Sequence, residues 1–166
     1  MPRIHKELKL PSCSESLSTL EMFVDEICEA YYITNSYYGN ILMAVLEAVK
    51  NAIQHGNKNN PDKEVKVSFK SVPNGLCFKI KDQGNGFNFL DVPNPLEVAD
   101  GQLEKTGKGI FLIRSLADQV SYNPKGNVIE IVFFISTINQ ETTLNRISQM
   151  HQYFEKQKIT GVKPTL

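Results

Sequence analysis

The chain has 166 residues, of which 41% are hydrophobic, and this length and composition suit one domain built around a single core. Its 18 Lys and Arg residues balance 18 Asp and Glu residues, which argues against broad electrostatic binding to nucleic acid or to an anionic membrane. The three cysteines have no paired spacing, and we see neither a signal peptide nor a membrane-spanning apolar run. We therefore expect a cytoplasmic protein without disulfides or a zinc site.

A strand and a helix are predicted at the start of the chain. Alternating apolar and polar residues over Arg3 to Leu10 predict a strand that is ended by Pro11. Ser14 or Ser16 can then cap a helix whose apolar positions run from Leu17 to Cys28.

The next predicted helix carries a polar stripe on an otherwise apolar sequence. It begins at Thr34 or Asn35, ends near Gly56, and places Glu47, Asn51 and His55 four residues apart on one face. Carboxylate and amide oxygens suit a partly hydrated Mg²⁺ that is shared with phosphates. Taken alone, however, the stripe is more typical of the solvated side of an amphipathic helix.

A predicted hairpin leads to a glycine-rich motif. Strands over 65–72 and 76–81 flank the turn Pro73-Asn74-Gly75, and the motif Asp82-Gln-Gly84-Asn-Gly86 follows the second strand. Asp82 can accept a hydrogen bond from an exocyclic amine, and the two glycines allow a flat ring to approach the backbone closely. Taken alone, a motif of this kind is more typical of an ordinary turn.

A second glycine motif opens the next helix, which is predicted over residues 107–117. Backbone N–H groups of Gly107-Lys108-Gly109 at a helix N-terminus attract anions, and Lys105 adds positive charge. Taken alone, this motif is more typical of a glycine-rich loop before a core helix. Residues 88–106, between the two motifs, have little periodicity and are predicted to form a lid. Strands over 119–122 and 128–135 follow, and an amphipathic helix is predicted over 139–158.

The three motifs in this order predict a site for a nucleotide, its phosphates and a divalent metal. They resemble the ATP-binding superfamily that includes gyrase, the histidine kinases and the mismatch-repair ATPase MutL. Within it, the chain most resembles the bacterial anti-sigma-factor serine/threonine kinases. The resemblance covers roughly residues 3–135 and rests on the segments 47–55, 82–87 and 107–114, with Ala117-Asp118 close behind.

The resemblance implies an α+β fold, a two-layer α/β sandwich of the Bergerat (histidine kinase-like ATPase) type. Helices would cover one face of a mixed, mostly antiparallel sheet. We predict an ATP-binding domain over residues 1–137 and a C-terminal helical extension and tail over 138–166. The extension departs from the family pattern, and its apolar stripe fits either packing on its own domain or contact with a partner.

The resemblance also implies roles for individual residues. Glu47 would be the general base that deprotonates a serine hydroxyl, Asn51 would bind Mg²⁺, and Asp82 would accept from the adenine amino group. Gly84 and Gly86 would shape the adenine and lid region. The phosphates of ATP would be bound by the segment that precedes and opens the third helix, which consists of Lys105, Thr106, Gly107, Lys108, Gly109 and Ile110.

The resemblance implies an anti-sigma factor that is also an ATP-dependent serine/threonine protein kinase. It would sequester a sigma factor, phosphorylate an anti-anti-sigma (STAS-type) protein and form a homodimer, with no direct contact to nucleic acid or membrane. One alternative is a nucleotide-gated binding module with negligible phosphotransfer. Another is a detached histidine kinase-type ATPase domain, although no phosphoacceptor-histidine hairpin is visible. An ATP-hydrolysing machine like gyrase would need a further transducer domain, for which this sequence has no room.

Overall fold

The computed structural model describes residues 5–92 and 105–135, together with Ser148. The chain divides into two compact units, residues 1–134 and 135–166. In the described residues, no helix has both the length and the apolar character needed to cross a membrane.

In the described residues, the first unit contains a five-stranded sheet and three α-helices. Its sheet has the strand order β1-β2-β3-β5-β4, and every neighbouring pair is antiparallel. The α+β fold is thus confirmed, and the described sheet is antiparallel throughout rather than mixed. In chain order the elements are β1 (His5–Pro11), α1 (Ser16–Ala30), α2 (Asn35–Asn51), a π-helical turn (Ala52–Gly56), β2 (Glu64–Val72), β3 (Gly75–Lys81), α3 (Lys105–Leu116), β4 (Gln119–Tyr122) and β5 (Val128–Phe134).

The core lies between the helices and one face of the sheet. An aromatic row crosses that face, with ring centroids 5.5 Å apart for Tyr31 and Phe69, 5.2 Å for Phe69 and Phe78, and 6.3 Å for Phe78 and Phe133. These four side chains are almost fully buried, whereas the opposite face of the sheet carries ion pairs between neighbouring strands. This arrangement is the two-layer sandwich that the resemblance implied.

The start of α1 differs from the prediction. Its N-cap residue is Glu15, which makes no side-chain capping hydrogen bond. The hydroxyl of Ser16 instead donates to the carbonyl oxygen of Pro11 at 2.7 Å, and that of Ser14 donates to Glu15 at 3.3 Å. The prediction that one of these serines caps the helix was therefore wrong, because the hydroxyl of Ser16 ties the helix back to β1.

Several predictions lie outside the described residues. They include most of the lid, because residues 93–104 are not described, and the side chains of Lys105 and Thr106. The predicted C-terminal helix over 139–158 also lies outside them, except for Ser148, which is helical.

Candidate nucleotide-binding site

A cavity of about 620 Å³ lies between the C-terminal end of α2, α3 and the sheet. Its volume is in the range typical of small-molecule sites, roughly 300–1,000 Å³. Apolar side chains from both layers line most of it, and its lining also includes the polar residues Asn51, His55, Asp82, Asn88, Asp91, Tyr122 and Asn127. A mostly apolar cavity with few polar groups is typical of a site that binds a flat, partly polar ligand.

Asp82 lies at the end of β3, lines the cavity and is only 8% exposed. Burial raises the pKa of its carboxyl above the ordinary value, and the N–H of Gly84, which donates to Oδ1 at 2.7 Å, opposes this shift. Burial therefore leaves the charged form of this carboxyl less well stabilised than it is in water. A ligand that donates a hydrogen bond to this carboxylate, such as an amine, would supply further compensation.

Two glycines allow the backbone to approach Asp82 closely. A Cβ on Gly56 would lie 2.7 Å from both carboxylate oxygens, and one on Gly84 would lie 2.8 Å from Oδ1. Gly56 ends the π-helical turn, whose extra residue per turn shifts the chain relative to a continued α-helix. From the sequence, Gly56 was predicted only to end a helix, because the hydrophobic pattern does not reveal a π-helical turn.

Asn127, in the turn between β4 and β5, forms hydrogen bonds with the backbone of Asp82. The N–H of Asp82 donates to the carbonyl oxygen of Asn127 at 3.1 Å, and the side-chain amide of Asn127 donates back to the carbonyl oxygen of Asp82 at 3.3 Å. Asn127 is itself fixed by Asn123, whose Oδ1 accepts its N–H at 3.0 Å. Neither asparagine was predicted from the sequence, because the sequence of a turn does not show which distant strand end it will contact.

Aromatic side chains form one end of the cavity. Phe87 and Tyr122 line it with ring centroids 5.6 Å apart, and the ring of Phe89 stacks on Tyr122 at 4.8 Å. Burial raises the pKa of Tyr122 to about 12, so its phenol is neutral at pH 7. Sequence analysis did not assign these rings, although Phe87 directly follows the glycine motif.

The structure brings Glu47 and Asn51 on α2 against Gly109 on α3. A Cβ on Gly109 would lie 3.0 Å from Nδ2 of Asn51 and 3.2 Å from Cδ of Glu47, and it would overlap Oε1 of Glu47. Asn51 lines the cavity, whereas Glu47 lies outside its lining and forms an ion pair with Lys50 at 3.3 Å. Two sequence motifs that are about sixty residues apart in the chain therefore meet at Gly109.

The glycine motif that is predicted to bind phosphate lies in the first turns of α3. The helix begins at Lys105, two residues earlier than predicted, so the N–H groups of residues 105–107 precede the first intrahelical hydrogen bond. The N–H of Gly107 thus keeps a place where an anion could bind, and Lys108 follows it directly, while Gly109 provides close packing and Ile110 lines the cavity. Their contact with phosphate stays a prediction.

The donor set near Asn51 fits Mg²⁺ only as a shared ion. Among the described residues, no group of three or more His, Cys, Asp or Glu side chains could hold a metal on its own. Mg²⁺ commonly takes one or two protein oxygens and completes its coordination with phosphates and water. The amide of Asn51 beside the carboxylate of Glu47 is consistent with that kind of site.

Comparison with known proteins agrees with this geometry. Residues 10–133 match the family described as the histidine kinase-like ATPase domain, and the chain belongs to that family. It is 25% identical over 147 residues to Serine-protein kinase RsbW of Bacillus subtilis, an alignment that covers 83% of this chain and 91% of the relative. It is 26% identical over 136 residues to Serine-protein kinase RsbW of Staphylococcus aureus, covering 78% and 86%. The resemblance to the bacterial serine kinases of this superfamily is confirmed.

A solved structure of the RsbU and RsbW domains of a Mycobacterium tuberculosis protein has the same fold. The TM-score is 0.54 at 14% identity, and the match covers 81% of this chain. This chain spans 32% of the length of that larger protein. The likeness therefore concerns the fold alone.

Proposed function

We propose that this protein is an anti-sigma factor with ATP-dependent serine/threonine protein kinase activity. Its protein substrate would be an anti-anti-sigma (STAS-type) protein, and it would sequester a sigma factor in the cytoplasm, where sigma factors act. The observation that carries the proposal is the meeting of Glu47, Asn51 and Gly109 beside a cavity that also contains Asp82. The relatives named Serine-protein kinase RsbW support serine as the phosphoacceptor.

In this proposal each side chain has one task. Asp82 accepts a hydrogen bond from the adenine amino group, and the aromatic pair Phe87 and Tyr122, whose rings meet edge to face, provides an apolar wall beside it. Asn51 provides an oxygen to Mg²⁺, which when bound neutralises charge on the phosphates. The N-terminal turn of α3 attracts the phosphates through its free N–H groups. The Lys105 and Thr106 side chains are assigned to this anion site from the resemblance alone.

Glu47 is assigned as the general base. Its Oε1 faces Gly109, and its Oε2 pairs with Lys50, so one carboxylate oxygen is held while the other is directed toward α3. A carboxylate in this position can take the proton of a serine hydroxyl as phosphoryl transfer proceeds. A histidine acceptor would itself be the nucleophile, so the carboxylate favours transfer to a hydroxyl.

A nucleotide-gated binding module without phosphotransfer is the alternative function. It is favoured by the place of Glu47 outside the cavity lining and by its ion pair with Lys50, which gives the carboxylate a structural role. In that case ATP would control the affinity for a sigma factor, and Glu47 would contribute no more than a surface ion pair, about 0–1 kcal/mol.

Replacing Glu47 with glutamine separates these functions. We expect Glu47→Gln to bind ATP nearly as wild type but to lose phosphate transfer from labelled Mg²⁺-ATP to a STAS-type protein of the same organism by about 10²-fold or more. Asn51→Ala should lose both transfer and the Mg²⁺ dependence of ATP binding. Glu26→Gln on α1 is the matched control, because it breaks an ion pair of 2.9 Å with Lys6 on β1. Transfer at the wild-type rate by Glu47→Gln would show that Glu47 is not the base.

A further inference from the structure

Asn57, which directly follows the π-helical turn, is a fully hydrogen-bonded polar side chain in the interior. It is 1% exposed, and its side-chain oxygen accepts the backbone N–H of Gln83 at 2.8 Å. Its amide nitrogen donates to the hydroxyl of Ser12 at 2.7 Å and to the carbonyl oxygen of Glu64 at 3.0 Å. Buried polar groups of this kind are costly to disrupt, since each lost partner leaves an unpaired group in the interior.

These contacts join the segment after β3 to the end of β1 and the start of β2. Gln83 is the residue next to Asp82, and its side-chain oxygen accepts the backbone N–H of Glu64 at 2.7 Å. Ser12 in turn donates its hydroxyl to the carbonyl oxygen of Lys63 at 2.8 Å. The chain at Asp82 is therefore held from two sides, by Asn127 on one and by Asn57 on the other.

Asn57 also fixes the turn that presents Gly56. Its own N–H donates to the carbonyl oxygen of Ala52 at 2.8 Å, which closes the π-helical turn. Gly56, one residue earlier, lies directly against the carboxylate of Asp82. Asn57 thus connects both pieces of backbone that surround the Asp82 carboxylate, although it does not line the cavity.

We infer that Asn57 is a positioning residue that sets the place of the Asp82 carboxylate and thereby the selectivity of the site for a purine that bears a 6-amino group. The inference rests on the proposed function, in which Asp82 accepts from that amine. A displaced carboxylate would still leave an apolar cavity and an anion site. Nucleotides would therefore still bind, but with less discrimination between chemical groups at position 6 of the purine.

The test compares ATP with inosine triphosphate, which carries a carbonyl in place of the 6-amino group. Calorimetry with Mg²⁺ should give wild type a preference for ATP of roughly tenfold or more, because the carbonyl leaves the buried acceptor unpaired. Asp82→Asn should lose this preference, and Asn57→Ala should reduce it to about threefold or less. The matched control is Asn60→Ala, in which the lost side-chain oxygen accepts the exposed N–H of Asp62, and it should keep the full preference.

Ser12→Ala covers the case in which Asn57→Ala does not fold. It removes the hydroxyl that accepts from the Asn57 amide and donates to the carbonyl oxygen of Lys63, while the bond from Asn57 to Glu64 stays, so it should lower the ratio of the two affinities in the same direction by a smaller factor. If Asn57→Ala and Ser12→Ala keep the wild-type ratio while Asp82→Asn loses it, the inference is wrong and the adenine site stands. An equal loss of affinity for both nucleotides would mean a purely structural role, which also overturns the inference. A wild-type protein without preference would overturn the Asp82 assignment and the inference together.

Discussion

Replacing Gly109 with alanine tests whether the packing of α3 on α2 sets the position of the Glu47 carboxylate, the proposed general base. The added Cβ would overlap Oε1 of Glu47 and lie 3.0 Å from the amide nitrogen of Asn51, where ordinary contacts begin at 3.4 Å. The Asn51 amide has to move by a few tenths of an ångström, and the Glu47 carboxylate has to retreat by on the order of 1 Å to reach normal separation. Both groups of the proposed site are therefore displaced by one methyl group.

Two opposing effects determine the stability of this variant. Alanine is favoured over glycine inside a helix by about 0.5–1 kcal/mol. Overpacking at a close contact costs roughly 1–3 kcal/mol. We therefore expect Gly109→Ala to be destabilised by about 1 kcal/mol. A carboxylate misplaced by about 1 Å should lower phosphate transfer by about 10²-fold.

Gly39→Ala is the matched control, because Gly39 is also a helical glycine and no atom lies within 4 Å of its added Cβ. It should raise the free energy of unfolding by about 0.5–1 kcal/mol and leave transfer unchanged. Urea denaturation and transfer of labelled phosphate to a STAS-type protein measure the two effects. If Gly109→Ala gains stability like Gly39→Ala and transfers phosphate at the wild-type rate, the close contact does not control Glu47.

Two further predictions concern pH and assembly. Burial raises the pKa of Asp82, so the folded protein holds the carboxyl proton more tightly than the unfolded chain does. The free energy of unfolding therefore falls as the pH rises from the ordinary carboxyl pKa through the raised one. In nucleotide-free protein, Asp82→Asn should remove that part of the pH dependence of the unfolding free energy, as measured by urea denaturation, and it should be more stable than wild type toward pH 7. An identical pH dependence in the two proteins would contradict this. We also expect a homodimer by light scattering, and if the segment 139–166 crosses between subunits, its removal should give a monomer. A full-length monomer rejects the dimer, and a truncated dimer rejects the tail as its cause.

Local sequence patterns predicted most of the elements. The period of α2, the alternation in β3 and the turn at Pro73-Asn74-Gly75 each depend on residues that are close in the chain. The helix boundaries were less well predicted, since α3 begins two residues before Gly107 and α1 lacks the expected serine cap. A boundary depends on which distant group satisfies the terminal N–H and hydroxyl groups, as the bond from Ser16 to Pro11 illustrates.

The sequence by itself determined the chemical groups of the candidate site and their order, because Glu47, Asn51, Asp82 and the glycines belong to short motifs with fixed spacing. Only the tertiary structure decided how these motifs meet. The contact of Gly109 with Glu47 and the support of Asp82 by asparagines join residues that are distant in the chain. Such contacts arise from the antiparallel pairing of strands and the packing of α3 on α2, and neither is encoded in the periodicity of a single segment.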